Sequence, residues 1–243
     1  MRALDDGSLW DLEPAAGTAA SAQTALLLLP GAGGNAMDFA LWPHHLARRF
    51  RVLAGHYRGT AADASVTGTA EALAERVMRH IPQPLVVLGH SFGALIGYEL
   101  AWRLQELRQP AVALYASAAF SPPQYSEIDL GVGTMTAETF AGLVRDIGIP
   151  LPEEDRMRHE ALRSARYALS LIDACRYGPR PRPLDYPVTV LTARDDRVIP
   201  PSSAGRWAAM GRHPLISHNF PGGHDYLLHS IAPVARVLLT AHP

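Results

Sequence analysis

Residues 84–100, Pro-Leu-Val-Val-Leu-Gly-His-Ser-Phe-Gly-Ala-Leu-Ile-Gly-Tyr-Glu-Leu, constrain this chain more than any other stretch. The apolar run Leu85 to Leu88 reads as a buried strand, it breaks at Gly89, and an apolar helical pattern begins directly after Ser91. Between the two lies G-x-S-x-G, made by Gly89, Ser91 and Gly93, which is the spacing of a nucleophile elbow. Such a chain turns sharply from strand to helix, so the serine is held in a strained conformation with its hydroxyl above the sheet edge. The helix that follows aims its first N–H groups and positive dipole end at any developing oxyanion. In a chain with 20 glycines the five-residue pattern alone is weak, and the flanking strand and helix give it weight.

The rest of the chain repeats that rhythm. Thr24 to Leu29 reads as a strand buried on both faces, Arg51 to Ala54 as a second, and Ala111 to Ala116 as the one after the elbow helix. Helical patterns fall near Pro43, over Thr67 to Ile81, and from the elbow to about Leu107. This order predicts an α/β fold with a mostly parallel central sheet and helices on both faces. Ser117 to Asp185 breaks the rhythm with turn-rich ends and helical patterns at about 137–147 and 153–176, the pattern of a helical lid insertion. A strand at Pro187 to Thr192, a helix at Pro201 to Met210, a short strand at Leu215 to Phe220 and a closing helix at about Tyr226 to Thr240 follow. We therefore expect one domain over residues 1–243, with a core at about 24–116 and 186–243 and a lid at about 117–185. Residues 1–23 read as an irregular lead-in.

Composition removes several function classes. A net charge of −1 without a basic tract argues against nucleic acid and anionic membranes as partners. The 22 Lys-plus-Arg residues are all Arg, so Schiff-base and P-loop lysine chemistry are excluded. One cysteine, Cys175, allows no intramolecular disulfide and no cysteine-based zinc site, and reads as a packed bystander. No pair of the 11 histidines has the i, i+4 spacing and intervening Glu of a zinc protease, so no metal is expected, and no cofactor. The longest early apolar run, Ala25 to Leu29, is too short for a signal core or membrane span, and a cytoplasmic location is expected.

A serine hydroxyl needs a base, and the base needs a buried acid to orient it. On this fold the partners follow later strands in the order Ser, Asp, His. His224, in Pro221-Gly222-Gly223-His224-Asp225, sits between the last strand and last helix and is the expected base. Asp195 and Asp196 compete for the acid after the preceding strand; Asp195 is preferred, as the first carboxylate after such a turn. His90 should point away from the nucleophile and serve as packing or rim, and the other histidines in helical or terminal segments should lie at the surface. The turn Pro30-Gly31-Ala32-Gly33-Gly34-Asn35 lacks the G-x-G-x-x-G spacing of dinucleotide sites and suits an oxyanion loop instead.

Four segments in order, Leu28 to Gly34, Gly89 to Ala94, Asp195-x-x-Val198 with Trp207 downstream, and Phe220 to His224, resemble the type II thioesterases of polyketide and nonribosomal peptide synthesis. Those enzymes are α/β-hydrolases. The resemblance runs from about Leu26 to the C-terminus. It implies Ser91, Asp195 and His224 as the catalytic residues and the backbone N–H groups of Ala32 and Phe92 as the oxyanion hole. It also implies a substrate acyl group on the phosphopantetheine arm of an acyl or peptidyl carrier protein. The chain departs from the family at Gly31, at Arg58-Gly59-Thr60 and at Asp225, where the family often has His, Pro-Gly-Arg and an aromatic residue. A triad by itself does not separate a thioesterase from a carboxylesterase or lactonase, because both reactions share one tetrahedral intermediate, and a silent hydrolase fold used for binding is a third reading. Arg156, His159, Arg163 and Arg166, spaced 3, 4 and 3 apart, share one face of a lid helix and form a candidate docking surface.

Overall fold

A computed structural model describes residues 1–12, 22–46, 48–57, 65–109, 111–149, 151–177 and 182–242. Arg58-Gly59-Thr60 and residues 178–181 of the proline-rich stretch lie outside the described residues, as do 13–21 of the lead-in. One eight-stranded sheet organises the chain, in the order β1-β2-β4-β3-β5-β6-β7-β8. Its strands are β1 (Arg2–Ala3), β2 (Leu9–Asp11), β3 (Thr24–Leu29), β4 (Phe50–Gly55), β5 (Leu85–His90), β6 (Ala111–Ser117), β7 (Val188–Ala193) and β8 (Ile216–Phe220). All pairings from β4 through β8 are parallel.

Because the central strands β3, β5, β6 and β7 are covered on both faces, they are apolar runs whose alternate residues enter two separate cores. Leu27, Leu29, Val87, Leu114 and Val190 enter one. Leu26, Leu28, Val86, Tyr115 and Leu191 enter the other. The first core is covered by α2 (Val66–His80), α3 (Phe92–Glu106) and α6 (Asp155–Asp173). The second is covered by the 3₁₀ turn Ala36–Phe39, α1 (Pro43–Leu46), α7 (Tyr226–His229) and α8 (Ile231–Ala241). Between β6 and β7 the chain inserts α4 (Pro122–Tyr125), α5 (Ala137–Asp146) and α6. Among the described residues, no helix is long and apolar enough to cross a membrane.

The structure corrects three expectations. The lead-in is ordered at its start, where β2 pairs antiparallel with β4 and β1 with β2. Leu9 there is fully buried opposite Gly55, and Asp5 closes the hairpin by accepting from the N–H groups of Gly7, Ser8 and Leu9. Two- and three-residue strands are too short for alternation to show. Pro201–Met210 is helical, but as a 3₁₀ helix. The closing helix breaks at Ser230, because Pro233, without an N–H and with its ring against the residue four back, is tolerated only in a helix's first turn.

β3 connects onward to β4 on one side, while β5 pairs on its other side. The sheet order therefore reverses between β3 and β5. Loops leaving the carboxyl ends of those two strands diverge and open a crevice, where ligands of such sheets bind.

Candidate active site

Ser91 follows β5 at that crevice with φ 52° and ψ −121°, a left-handed backbone that an L-residue adopts only when its surroundings impose it. Gly89 and Gly93 impose it. A Cβ on Gly89 would fall onto the backbone of Gly93, and one on Gly93 onto the carbonyl of Leu29 in the neighbouring strand. The turn is pinned by the Ser91 N–H, which donates to the Ser117 carbonyl at 2.8 Å, and by the Ala94 N–H to the Ser91 carbonyl at 2.9 Å.

His224 Nε2 lies 3.1 Å from Ser91 Oγ, and its Nδ1 lies 2.9 Å from Asp196 Oδ2. The acid beside His224 is thus Asp196, and the expectation of Asp195 is corrected. Arg194 and Asp195 continue the edge of the sheet, their N–H groups donating to the carbonyls of Phe220 and Gly222 at 2.8 and 2.9 Å. They form the corners of a turn closed by the Asp196 N–H on the Ala193 carbonyl at 3.3 Å, so Asp195 is exposed and the next residue turns inward. The Asp196 side chain is 0% exposed. Its Oδ1 accepts the N–H groups of Val198 and Ile199 at 2.9 and 2.8 Å. Burial by itself would raise this carboxyl, but His224 and the two N–H groups outweigh it and hold the group below the usual carboxylate range. A carboxylate so fixed orients the imidazole and stabilises an imidazolium.

His90 does not point away. Its ring centroid is 5.2 Å from that of His224, and its Nδ1 is 3.1 Å from Ser117 Oγ. Burial first, and the neighbouring His224 second, push its pKa down to about 3, so it is a neutral imidazole at working pH. Nothing local in the sequence marks this contact, since Ser117 belongs to the next strand. Of the histidines expected at the surface, His80 and His242 are instead half-buried, the latter 3.1 Å from the Tyr115 hydroxyl.

The loop after β3 faces Ser91 across the crevice. The Gly34 N–H donates to the Gly31 carbonyl at 3.1 Å. Asn35 Oδ1 accepts the Met37 N–H at 2.8 Å, and Asp38 Oδ2 accepts the Asn35 N–H at 2.9 Å. This reciprocal cap fixes the far end of the loop, and Asn followed three residues later by Asp was its legible signal. Burial raises the Asp38 carboxyl, against the Asn35 N–H that lowers it. Ala32 in this loop lines the same cavity as Ser91, and Phe92, the first residue of α3, follows Ser91 directly. Phe92 N–H, as a first-turn donor, has no carbonyl one turn back within the helix.

These elements enclose a cavity of about 580 Å³ that reaches Ser91, His90 and His224. Its outer wall comes from the helical insertion, through Ile149, Leu151, Met157 and Ala161, and part of its rim from Met1, Trp10 and His56. Asp225 also lines it and pairs with His229 at 3.3 Å. The four residues read as one basic face divide. Arg156, His159 and Arg163 are exposed, whereas Arg166 turns back onto the insertion, donating to the carbonyls of Val132, Met135 and Thr136 and stacking 4.2 Å above the Phe140 ring. Cys175 is buried, and burial pushes its thiol up to about 11. Among the described residues, no group of three His, Cys, Asp or Glu side chains is placed to hold a metal ion.

A family model described as a thioesterase domain matches residues 24–241. The chain is 26% identical over 220 residues to the gramicidin S biosynthesis protein GrsT of Aneurinibacillus migulanus, covering 86% of this chain and 85% of that protein. The type II thioesterase BorB from the borrelidin biosynthetic cluster superposes with a TM-score of 0.84 at 26% identity, over 98% of both chains. RedJ, a thioesterase from the prodiginine pathway of Streptomyces coelicolor, superposes with a TM-score of 0.77 at 25% identity, over 95% of this chain and 90% of that one.

Proposed function

This chain belongs to the thioesterase-domain family, with the α/β-hydrolase fold, and from that premise we propose that it removes acyl groups from the phosphopantetheine arm of acyl or peptidyl carrier proteins. The observation that carries the reading is the 3.1 Å approach of His224 Nε2 to Ser91 Oγ inside a cavity open to an acyl chain. Relatives named for gramicidin S and borrelidin biosynthesis support an assembly-line setting.

Ser91 Oγ attacks the thioester carbonyl while His224 Nε2 takes its proton. Asp196 holds the resulting imidazolium by its Nδ1–H. The oxyanion of the tetrahedral intermediate accepts hydrogen bonds from the backbone N–H groups of Ala32 and Phe92. Collapse breaks the carbon–sulfur bond, and His224 returns the proton to the departing pantetheine thiolate. Water then gives a proton to His224 and attacks the Ser91 ester; the proton passes back to Ser91 Oγ as the carboxylic acid leaves. The insertion would act as a lid that excludes bulk water, and the exposed Arg156, His159 and Arg163 would form the face that meets an acidic carrier.

One acyl group presented on a carrier-protein pantetheine, on a small free thiol and on p-nitrophenol tests this. The wild type should prefer the carrier-bound thioester strongly, and Ser91→Ala should be inactive on all three. Preference for the oxygen ester with no gain from the carrier would instead mark a free-standing esterase. Failure of Ser91 to react with a fluorophosphonate would mark a binding protein.

A further inference from the structure

Ser117 joins the two loops that carry the reacting side chains. Its carbonyl accepts the Ser91 N–H at 2.8 Å, tying it to the elbow. Its Oγ lies 2.8 Å from the Tyr226 hydroxyl and 3.1 Å from His90 Nδ1. Tyr226 in turn stacks on Phe220, centroids 5.4 Å apart at 16°, so that residues on both sides of the His224 loop close its base. Ser117 is 0% and Tyr226 1% exposed, so the two hydroxyls are fully internal, while the half-buried His90 ring carries the chain to the wall of the cavity. None of the three groups takes part in the proton transfers of the proposed reaction.

We propose that the His90–Ser117–Tyr226 chain is a positioning device that fixes the distance between Ser91 and His224, with the His90 ring as a wall against which the His224 ring rests. His224 has hydrogen bonds at its two nitrogens only, to Asp196 and Ser91, and these leave the ring free to swing about the line joining them. The ring of His90 at 5.2 Å, inclined by 42°, blocks that swing on one side. A buried network of this kind is rigid when every member is satisfied. A protonated His90 would repel the imidazolium that forms on His224 during reaction, and the burial that keeps it neutral serves the same end. The inference rests on Ser91 and His224 as reacting groups but not on a carrier-bound substrate.

The test measures hydrolysis of a p-nitrophenyl ester, the rate of fluorophosphonate labelling of Ser91, and thermal melting, for Tyr226→Phe, Ser117→Ala, their double variant, His90→Phe and His90→Asn. Tyr226→Phe deletes one hydroxyl and leaves the stack on Phe220. It and Ser117→Ala should each lower kcat and the labelling rate by about tenfold with KM unchanged, as small misplacements of a reacting group do. The double variant should be no worse than the poorer single one, because both break the same bond. His90→Asn, which keeps a nitrogen near the Nδ1 position, should retain more activity than His90→Phe. Unchanged kcat in Tyr226→Phe and Ser117→Ala with only a lower melting temperature would overturn the proposal, as would additive losses in the double variant. A wild type that labels at Ser91 yet ignores carrier-bound substrate would count against the proposed function alone.

Discussion

Asp196 Oδ2 stands 2.9 Å from His224 Nδ1 with its other oxygen held by two backbone N–H groups, so the carboxylate is fixed at both ends and fully enclosed. Asp195 next to it is exposed and offers only its backbone to the sheet edge. Asp196→Asn should therefore lower kcat by about 10⁴-fold, the magnitude seen when a triad acid loses its charge and the imidazole takes the wrong tautomer. Asp195→Asn should stay within about twofold of wild type, as an exposed substitution remote from the reacting atoms. Steady-state kinetics on one p-nitrophenyl ester decide between them, and the reverse ranking would restore Asp195 as the acid.

Gly93 has no room for a methyl group, because the position a Cβ would take is already filled by the Leu29 carbonyl. That carbonyl belongs to the central strand β3, whose Leu29 and Leu28 are fully buried and unable to retreat. Gly93→Ala should destabilise by about 3 kcal/mol or more, at the upper end of overpacking effects. Gly142→Ala, on α5 with nothing within reach of its Cβ, should be neutral or slightly stabilising. Chemical denaturation of both variants checks the pair; equal midpoints would show that the elbow tolerates a side chain.

The sheet, the elbow and the placement of His224 beside Ser91 were legible for physical reasons. β3 and β5 are continuous apolar runs because both sheet faces are covered, and the Gly89 and Gly93 spacing follows from close backbone approach in the turn between β5 and α3. What escaped the sequence depended on geometry one residue fine or on partners far along the chain. Choosing between Asp195 and Asp196 requires knowing where β7 ends and the turn begins, which adjacent identical residues cannot reveal. The contact of His90 with Ser117 spans 27 positions and is created by strand pairing. The β1–β2 hairpin has too few residues for a period, and the Arg166 clamp is invisible in a helical-face pattern that assigns it outward.

Arg166 and Arg163 lie three residues apart on α6 and should behave in opposite ways. Arg166→Ala removes hydrogen bonds to three carbonyls and the stack on Phe140, so it should destabilise the insertion by about 1–3 kcal/mol. The readout is faster proteolysis between α4 and α6. Arg163, with 79% of its side chain exposed and a 4.0 Å approach to Glu160 as its ion pair, contributes little to folding. Arg163→Glu should leave stability and p-nitrophenyl ester hydrolysis unchanged while raising KM for a carrier-bound thioester several-fold. An unchanged KM for that substrate would remove this face of α6 from carrier docking.

His90 also makes stability depend on pH. Its pKa is about 3 when folded and about 6.5 in an unfolded chain, so between those values the unfolded state binds the extra proton. Stability then rises with pH across that window and falls as pH drops below about 6.5. The groups facing His90 are His224, which lowers it further, and Asp196, which raises it but too weakly to reverse the effect of burial. Tyr226 is itself pushed above its ordinary value by burial and stays neutral here. Asp196 acts in the same direction as His90 but at lower pH, because its lowered carboxyl loses its contribution only as pH falls through the carboxylate range. From pH 7 to pH 5 the His90 imidazole should cost the wild type about 2 kcal/mol, the free energy of keeping one group with an ordinary pKa of 6.5 unprotonated at pH 5. His90→Asn cannot titrate and should lack that part of the slope, while His242, also lowered by burial, contributes equally to both proteins. Urea denaturation of the two proteins at pH 7, 6 and 5 measures the difference, and parallel curves would mean that the imidazole beside His224 is protonated in the folded state.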